Sequence, residues 1–177
     1  MNEQAWPPAS LVEFLTSDPR FERVPADRDY AERVVEDLAD EECDLALYAA
    51  VRQRWSKVNT LTYDAARKAV EALLLAAGWR VKPVAGAHVG VGEVVRLWLG
   101  TQPPPGPRIA DKFAASRKAR HDDEYPNPSA RHRTDAELRA LAQDNVRIVG
   151  YVRELLALPA RPDLVPTDEN LDVFRQR

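Results

Sequence analysis

Cysteine is almost absent from this chain of 177 residues, in which Cys43 is the only one. A single cysteine excludes disulfides within the chain, and it excludes metal sites built on CxxC pairs. Chains without disulfides are typical of reducing compartments, so the cytoplasm is the expected location. No ligand spacing in the sequence indicates a metal, and no cofactor is expected.

Long apolar runs are also missing. The longest is "ALLLAA" at 72–77, far short of the roughly 20 apolar residues that a membrane-spanning helix needs. The opening segment "MNEQAWPPASLVEFL" has no basic region followed by an apolar core, as a secretory signal would. We therefore expect a soluble, non-secreted protein with no membrane partner.

Several familiar catalytic and nucleotide-binding motifs are not present. Gly86, Gly90 and Gly92 form neither GxGxxG nor a P-loop, because no strand precedes them and no Lys-Ser or Lys-Thr follows. The sequence has no serine nucleophile elbow and no HExxH. No segment sustains period-two alternation, so no β-sheet is expected.

Positive charge is not in excess, since 25 Lys and Arg against 28 Asp and Glu leave a net charge of −3. Bulk attraction to nucleic acid is therefore excluded, and any such contact needs a local patch. Residues 27–44 hold nine acidic residues against Arg28 and Arg33, whereas "RKAR" at 117–120 is cationic. A docking surface and a solvated helix face both give this segregation.

What the sequence does have is helical periodicity, in a chain long enough for one domain. We predict an all-α fold, an up-down bundle of four or five helices over residues 28–158. An N-terminal extension at 1–27 precedes it, with a short helix that Ser10 can cap. A Pro-rich C-terminal tail at 159–177 follows and is expected to be only partly ordered.

The first long helix is predicted from about Asp29, with a possible break near Asp40. Its expected core-facing stripe is Tyr30, Val34, Leu38, Leu45, Ala49 and Arg52.

The clearest helix is "TLTYDAARKAVEALLLAAGWRV". Thr60 or Thr62 can cap its start, and Gly78 follows its last apolar turn as a C-terminal capping glycine does. Asp64 and Lys68 are spaced to pair on its outer face.

Three more helices are predicted after it. The first, in "GAHVGVGEVVRLWLG", ends at the stiff connector "TQPPPGP". The second runs from about Arg108 to Tyr125 and is stopped by Pro126. The last begins at Thr134, which forms a capping box with Glu137.

The polar face of the 108–125 helix is the candidate site. Its side chains follow helical spacing, and all would share one face: Arg117, Arg120, His121, Glu124 and Tyr125. Arginine stays charged and forks onto phosphate oxygens, and histidine titrates near neutrality. These residue types suit cleavage of a phosphodiester without a metal.

A solvated helix end explains the same stripe. On that interpretation Arg120 and Glu124 form an ordinary pair along the helix, and Tyr125 anchors the helix end by its ring. His88 could reach the site across the bundle, although a histidine at a helix start or on the surface is commoner. His132 is assigned no role.

Two segments together resemble the HEPN domain, a helical module of prokaryotic toxin and defence systems. The resemblance covers roughly residues 45–157 and is most specific at "YDAARKAVEALL" and at Arg120-x4-Tyr125. It implies a four- or five-helix bundle that forms a homodimer through the motif helix. It also implies, for catalytic members, metal-independent RNA cleavage by an Arg and a His with four to six residues between them.

Carried over by position, Arg120 matches the motif arginine and His121 the polar residue beside it. The sequence departs from the family pattern, because only three residues separate Arg117 from His121. The expected function is a dimeric endoribonuclease of a toxin-antitoxin or defence system. In it His121 is the base, the arginines bind phosphate, and Glu124 or Asp122 orients a partner group.

Two alternatives stay open. One is a non-catalytic module that binds RNA or a protein partner, such as an antitoxin or a nucleotidyltransferase that modifies Tyr125. The other is a dimer in which the polar stripe only fixes the register of the interface.

Overall fold

The fold is known from a computed structural model, which describes residues 7–101, 106, 108–125, 129 and 132–176. The all-α prediction is confirmed, because helices account for most of these residues. In chain order they are α1 (Ala9–Ser17), α2 (Arg28–Arg33), α3 (Asp40–Val51), α4 (Trp55–Ala76), α5 (Ala87–Leu97), α6 (Arg108–Glu124), α7 (Asp135–Leu155) and α8 (Asp168–Arg175). Most of the connector "TQPPPGP" and the helix-stopping Pro126 lie outside the described residues.

Helix α4 lies at the centre and packs against α7, α3 and α6. Alanines at 65, 66, 69 and 72 are fully buried along it, and such small side chains let neighbouring helices approach closely. The expected caps at Thr60 and Thr62 are wrong, since the helix begins five residues earlier, at Trp55. Both hydroxyls instead bond to carbonyls one turn back within the helix.

The predicted capping glycine is confirmed. Gly78 has φ +77° just past the end of α4 and donates its N–H to the Leu75 carbonyl. Its own carbonyl accepts from the Val24 N–H at 3.1 Å, which joins the helix end to the N-terminal segment.

A small sheet forms at this junction, contrary to the sequence prediction. Strand β1 (Phe21–Arg23) pairs antiparallel with β2 (Trp79–Val81), and Phe21 lies opposite Val81. Each strand has three residues, too few for alternation to show in the sequence. The Arg23 guanidinium lies 4.2 Å from the centre of the Trp79 ring, a contact between residues far apart in the chain.

The acidic helix buries a different face from the one predicted. A π-helical segment (Val34–Ala39) joins α2 to α3 without a break. Its wider turn shifts the face that packs inward, and the buried apolar residues are Ala31, Val35, Ala39, Cys43, Ala46, Leu47, Ala49 and Ala50. Of the predicted stripe, Ala49 is buried as expected. The expected core residues Tyr30, Leu38 and Leu45 are therefore exposed.

Both ends of the chain also correct the prediction. Helix α1 begins at Ala9 after Pro8, without a side-chain cap from Ser10. The segment expected to be partly ordered holds a 3-10 turn (Pro162–Leu164) and helix α8. Leu164 and Leu171 are buried there, and α8 packs on α3. Helix α7 ends at Leu155, ahead of Ala157 at φ +55°, and the prolines beyond it do not prevent the tail from folding.

The last predicted helices agree with the structure. Helix α7 has the predicted capping box of Thr134 and Glu137, and Leu138, Val149 and Val152 are buried along it. Helix α6 spans the candidate site, with Ile109 and Phe113 buried in its first half. Within the described residues, no helix is long and apolar enough to cross a membrane.

Candidate functional site

A cleft of about 670 Å³ opens along the C-terminal half of α6. All five predicted site residues line it, together with Lys118 from the same helix. Two further residues come from other helices, Tyr63 from α4 and His88 from α5. The polar face of α6 is therefore one wall of a concave site, rather than a flat solvated surface.

A buried hydrogen-bond cluster fixes α6 beneath this cleft. The Ser116 hydroxyl donates to Asn59 Oδ1 at 2.7 Å and accepts from Asn145 Nδ2 at 2.8 Å. Asn59 Nδ2 also donates to the Ser116 carbonyl at 3.2 Å. All three residues are fully buried, and they lie on α4, α6 and α7. We refer to Asn59, Ser116 and Asn145 as the polar cluster; it sets the position of the neighbouring Arg117 backbone.

Arg120 is held by two carboxylates. Its Nη1 lies 3.0 Å from Asp64 Oδ1, and its Nε donates to Glu124 Oε1 at 3.0 Å. The predicted pairing of Asp64 with Lys68 is wrong, because Lys68 Nζ donates instead to Glu42 on α3 at 2.6 Å. Asp64 faces α6 and not the outer surface. The charge of Arg120 is thus largely neutralised within the chain.

Arg117 differs from its neighbours in having no counterion. Its side chain is half-buried at the cleft, and no carboxylate among the described residues forms an ion pair with it. Lys118, next to it, pairs with Asp122 at 3.0 Å, and Asp122 also binds Arg133 at 3.1 Å. These two cations lower the pKa of the Asp122 carboxyl, the Lys118 hydrogen bond having the larger effect. Asp122 is therefore engaged in structural pairs outside the cleft lining.

Tyr63 forms the floor where α4 meets α6. Its ring lies 5.0 Å from that of Phe113, and the Arg120 guanidinium carbon is 5.7 Å from its centre. Burial raises the pKa of Tyr63 to about 12, although the nearby Arg117 opposes that effect. The buried hydroxyl has no hydrogen-bond partner among the described residues, so the cleft floor has an unused polar group next to cations.

Two histidines reach the cleft from different helices. The His121 ring lies 5.0 Å from that of Tyr125, which is 64% exposed. His88 has its pKa lowered, first by burial and then by the charge of Arg67. A lowered pKa keeps His88 neutral at pH 7, as a proton acceptor must be. His132 does not line the cleft.

Among the described residues, no group of three or more His, Cys, Asp or Glu side chains could hold a metal ion. The cleft instead combines two arginines, two histidines and two tyrosines, groups that bind anions and move protons.

Sequence reasoning found the α6 wall and missed the contribution of α4. Tyr63 and Asp64 lie at helical positions that look like core and solvated surface respectively, so no spacing marks them as site residues. Asn59 and Ser116 carried a weak signal, since each is a polar residue in an otherwise apolar stripe.

Comparison with known proteins adds nothing to this description: no family model, no curated protein and no solved structure matches the chain.

Proposed function

We propose that the cleft binds an RNA phosphate and cleaves the adjoining phosphodiester without a metal, and that the chain is a HEPN-like endoribonuclease of a toxin-antitoxin or defence system. The single observation that carries this is Arg117, a half-buried cation that forms no ion pair with any described residue, at a cleft that also holds two histidines. Keeping a guanidinium partly buried is costly unless an anion pairs with it.

Phosphate is the anion that the neighbouring groups suit best. Arg117 can fork onto two phosphate oxygens. An oxygen bound there would also give the Tyr63 hydroxyl the acceptor that it lacks. A carboxylate ligand would meet the same arginine, but it would gain nothing from histidines placed for proton transfer.

The chemical step follows from these groups. His121 accepts the proton of the ribose 2′-hydroxyl. The 2′-oxygen then attacks phosphorus, while Arg117 stabilises the negative charge that develops on the phosphate oxygens. The bond from phosphorus to the 5′-oxygen breaks, and that oxygen takes a proton from water, while protonated His121 gives its proton to the hydroxide that remains. The products are a 2′,3′-cyclic phosphate and a 5′-hydroxyl end. His88 lines the same cleft, and its pKa is lowered.

The same proposal includes a homodimer formed through α6, in the cytoplasm. Its support is Tyr125, which directly follows the end of α6. Its ring is 64% exposed beside His121, a surface open to a second copy or to an enzyme that modifies the tyrosine. Sedimentation velocity at several concentrations tests it, with Tyr125→Ser as the variant expected to weaken association.

Cleavage is tested by incubating purified protein with mixed cellular RNA in EDTA and analysing the new ends. We expect cyclic phosphate ends from wild type, and loss of activity by a factor of about 10² or more in Arg117→Ala and His121→Ala. Arg108→Ala, on the same helix outside the cleft, and His132→Ala are matched controls that should cleave normally. Intact RNA from folded wild type, or full activity in His121→Ala, would contradict the proposal.

One observation favours a non-catalytic alternative. Arg120, the residue that matches the family's motif arginine, is already paired with Asp64 and Glu124 and has little charge to offer a transition state. A module that only binds RNA or a protein partner needs Arg117 but no base. It would bind RNA with strong salt dependence, lose affinity in Arg117→Ala, and release the RNA intact.

A further inference from the structure

A second groove, of about 500 Å³, lies between α3 and the C-terminal tail. We call it the α3 groove. Helix α3 supplies most of its wall, and Arg161 and Phe174 close it from the tail. None of its lining residues belongs to the cleft on α6.

The wall on α3 is a stripe of exposed side chains. Glu41, Asp44, Leu45 and Tyr48 follow the spacing i, i+3, i+4 and i+7, which places them along one face. Leu45 is 49% exposed and Tyr48 is 53% exposed. Large apolar side chains in water, clustered and bordered by charges, are a mark of interaction surfaces.

The acidic members of this stripe have no internal counterion. Neither Glu41 nor Asp44 forms an ion pair with any cation in the ranges that the structure describes. Deeper in the groove, Asp40 is only 4% exposed, and its Oδ1 has no hydrogen-bond partner among the described residues. Four carboxylates line the groove, and Arg161 is the single cation that lines it within the part of the chain that the structure describes. Its negative charge is thus in excess.

The position of Arg161 shows that a guanidinium group fits beside the carboxylates of the α3 groove. Its side chain reaches from the tail to Asp40 Oδ2 at 3.3 Å, while Arg153 of α7 binds the same oxygen at 2.7 Å from the core side. Arg161 stays 35% exposed at the edge of the groove. Further along the groove, Glu41 and Asp44 present the same kind of carboxylate acceptor, without an ion-pair partner among the described residues.

We propose that the α3 groove docks a basic amphipathic segment of a partner protein. Arginine or lysine side chains of that segment would bind Glu41 and Asp44. An apolar residue one helical turn away would cover Leu45 and Tyr48, in the manner of a helix laid into a groove. The excess of negative charge selects a basic occupant and disfavours an acidic one or RNA. This proposal does not depend on what the α6 cleft does.

The probe is a set of fluorescent 14-residue peptides that combine Arg or Lys with Leu or Trp at helical spacing, beside the same peptides with Glu in place of each cation. Binding is measured by fluorescence anisotropy at two salt concentrations. We expect the basic peptides to bind the full-length chain in a salt-dependent way, and the acidic peptides to bind at least tenfold more weakly.

Variants locate the binding site. Glu41→Lys with Asp44→Lys should weaken basic-peptide binding at least tenfold, and Leu45→Ser should weaken it with little change in salt dependence. The matched control is Glu13→Lys with Glu154→Lys, an equal change of charge at exposed positions outside the groove. Thermal unfolding followed by circular dichroism shows that each variant is folded.

Three results would overturn the proposal. The first is that basic and acidic peptides bind equally well, or that neither set binds. The second is unchanged binding after reversal of Glu41 and Asp44. The third is self-association of the wild-type chain that this reversal abolishes, which would make a second copy the occupant. Arg117→Ala should bind the peptides as wild type does, so failure of the ribonuclease proposal leaves this test intact.

Discussion

Replacing Ser116 with alanine removes the centre of the polar cluster. The Ser116 hydroxyl is the only hydrogen-bond donor found for Asn59 Oδ1 in the described structure, and it accepts one of the two bonds from Asn145 Nδ2. Asn59 would keep its bond to the Ser116 carbonyl, and Asn145 would keep a long one of 3.3 Å to the Thr62 hydroxyl. The change therefore leaves one buried acceptor without a partner and removes a second bond.

The expected cost follows from these two losses. A buried acceptor left unpaired costs about 1–3 kcal/mol, and a lost net hydrogen bond about 0.5–1.5 kcal/mol. No water can compensate easily, because Asn59, Ser116 and Asn145 are all fully buried. We expect the free energy of unfolding to fall by about 3 kcal/mol, which lowers Tm by roughly 6–12 °C in a chain of this size.

Urea unfolding followed by circular dichroism measures the change in unfolding free energy. If this free energy has the same slope against urea concentration in variant and wild type, their unfolded states match. Ser56→Ala is the control, an exposed serine on α4 expected to change stability by less than about 0.5 kcal/mol. A double-mutant cycle with Asn59→Ala should give a coupling energy above about 0.5 kcal/mol. If Ser116→Ala behaved like Ser56→Ala, the polar cluster would not hold α6 in place.

Other measurements test separate parts of the structure. The pKa of Tyr63 is raised by burial from 10.0 to about 12, so between these values the unfolded chain ionises this tyrosine and the folded chain does not. The free energy of unfolding of wild type should therefore fall over that pH range relative to that of Tyr63→Phe. The same pH dependence of unfolding free energy in both proteins would contradict this. Gly78→Ala should cost about 1–2 kcal/mol, because φ is +77° and the new Cβ would lie 3.1 Å from the Val24 carbonyl oxygen. Gly92→Ala, within α5 and with open space around it, should gain up to about 1 kcal/mol in the same urea experiment; equal effects at the two glycines would refute the argument.

Part of the candidate site was predictable because it lies on one helix. Arg117, Arg120 and His121 share a face of α6 by helical spacing alone, and the Arg120–Glu124 pair forms as the spacing indicates. What could not be predicted is which of these charges is left free. Asp64 comes from α4 and pairs with Arg120, so Arg117 is the arginine of these two that has no counterion among the described residues.

The acidic helix gives the opposite case, in which a local pattern was misleading. Tyr30, Leu38 and Leu45 follow helical spacing, yet the face that packs on α4 consists of smaller residues one position later. The π-helical turn and the need for close packing against α4 decided this. Leu45 is consequently free to line the α3 groove.

The sequence by itself determined the all-α class, the capping box of α7, the end of α4 at Gly78 and the common face of the α6 side chains. These depend on interactions within four residues along the chain, which spacing and residue type specify. Only the tertiary structure decided the Phe21–Arg23 and Trp79–Val81 pairing, the folding of the tail onto α3, and the arrival of Tyr63 and His88 at the cleft. Each of these joins residues distant in sequence, and the way whole helices pack selects them, because no local pattern encodes which faces will meet.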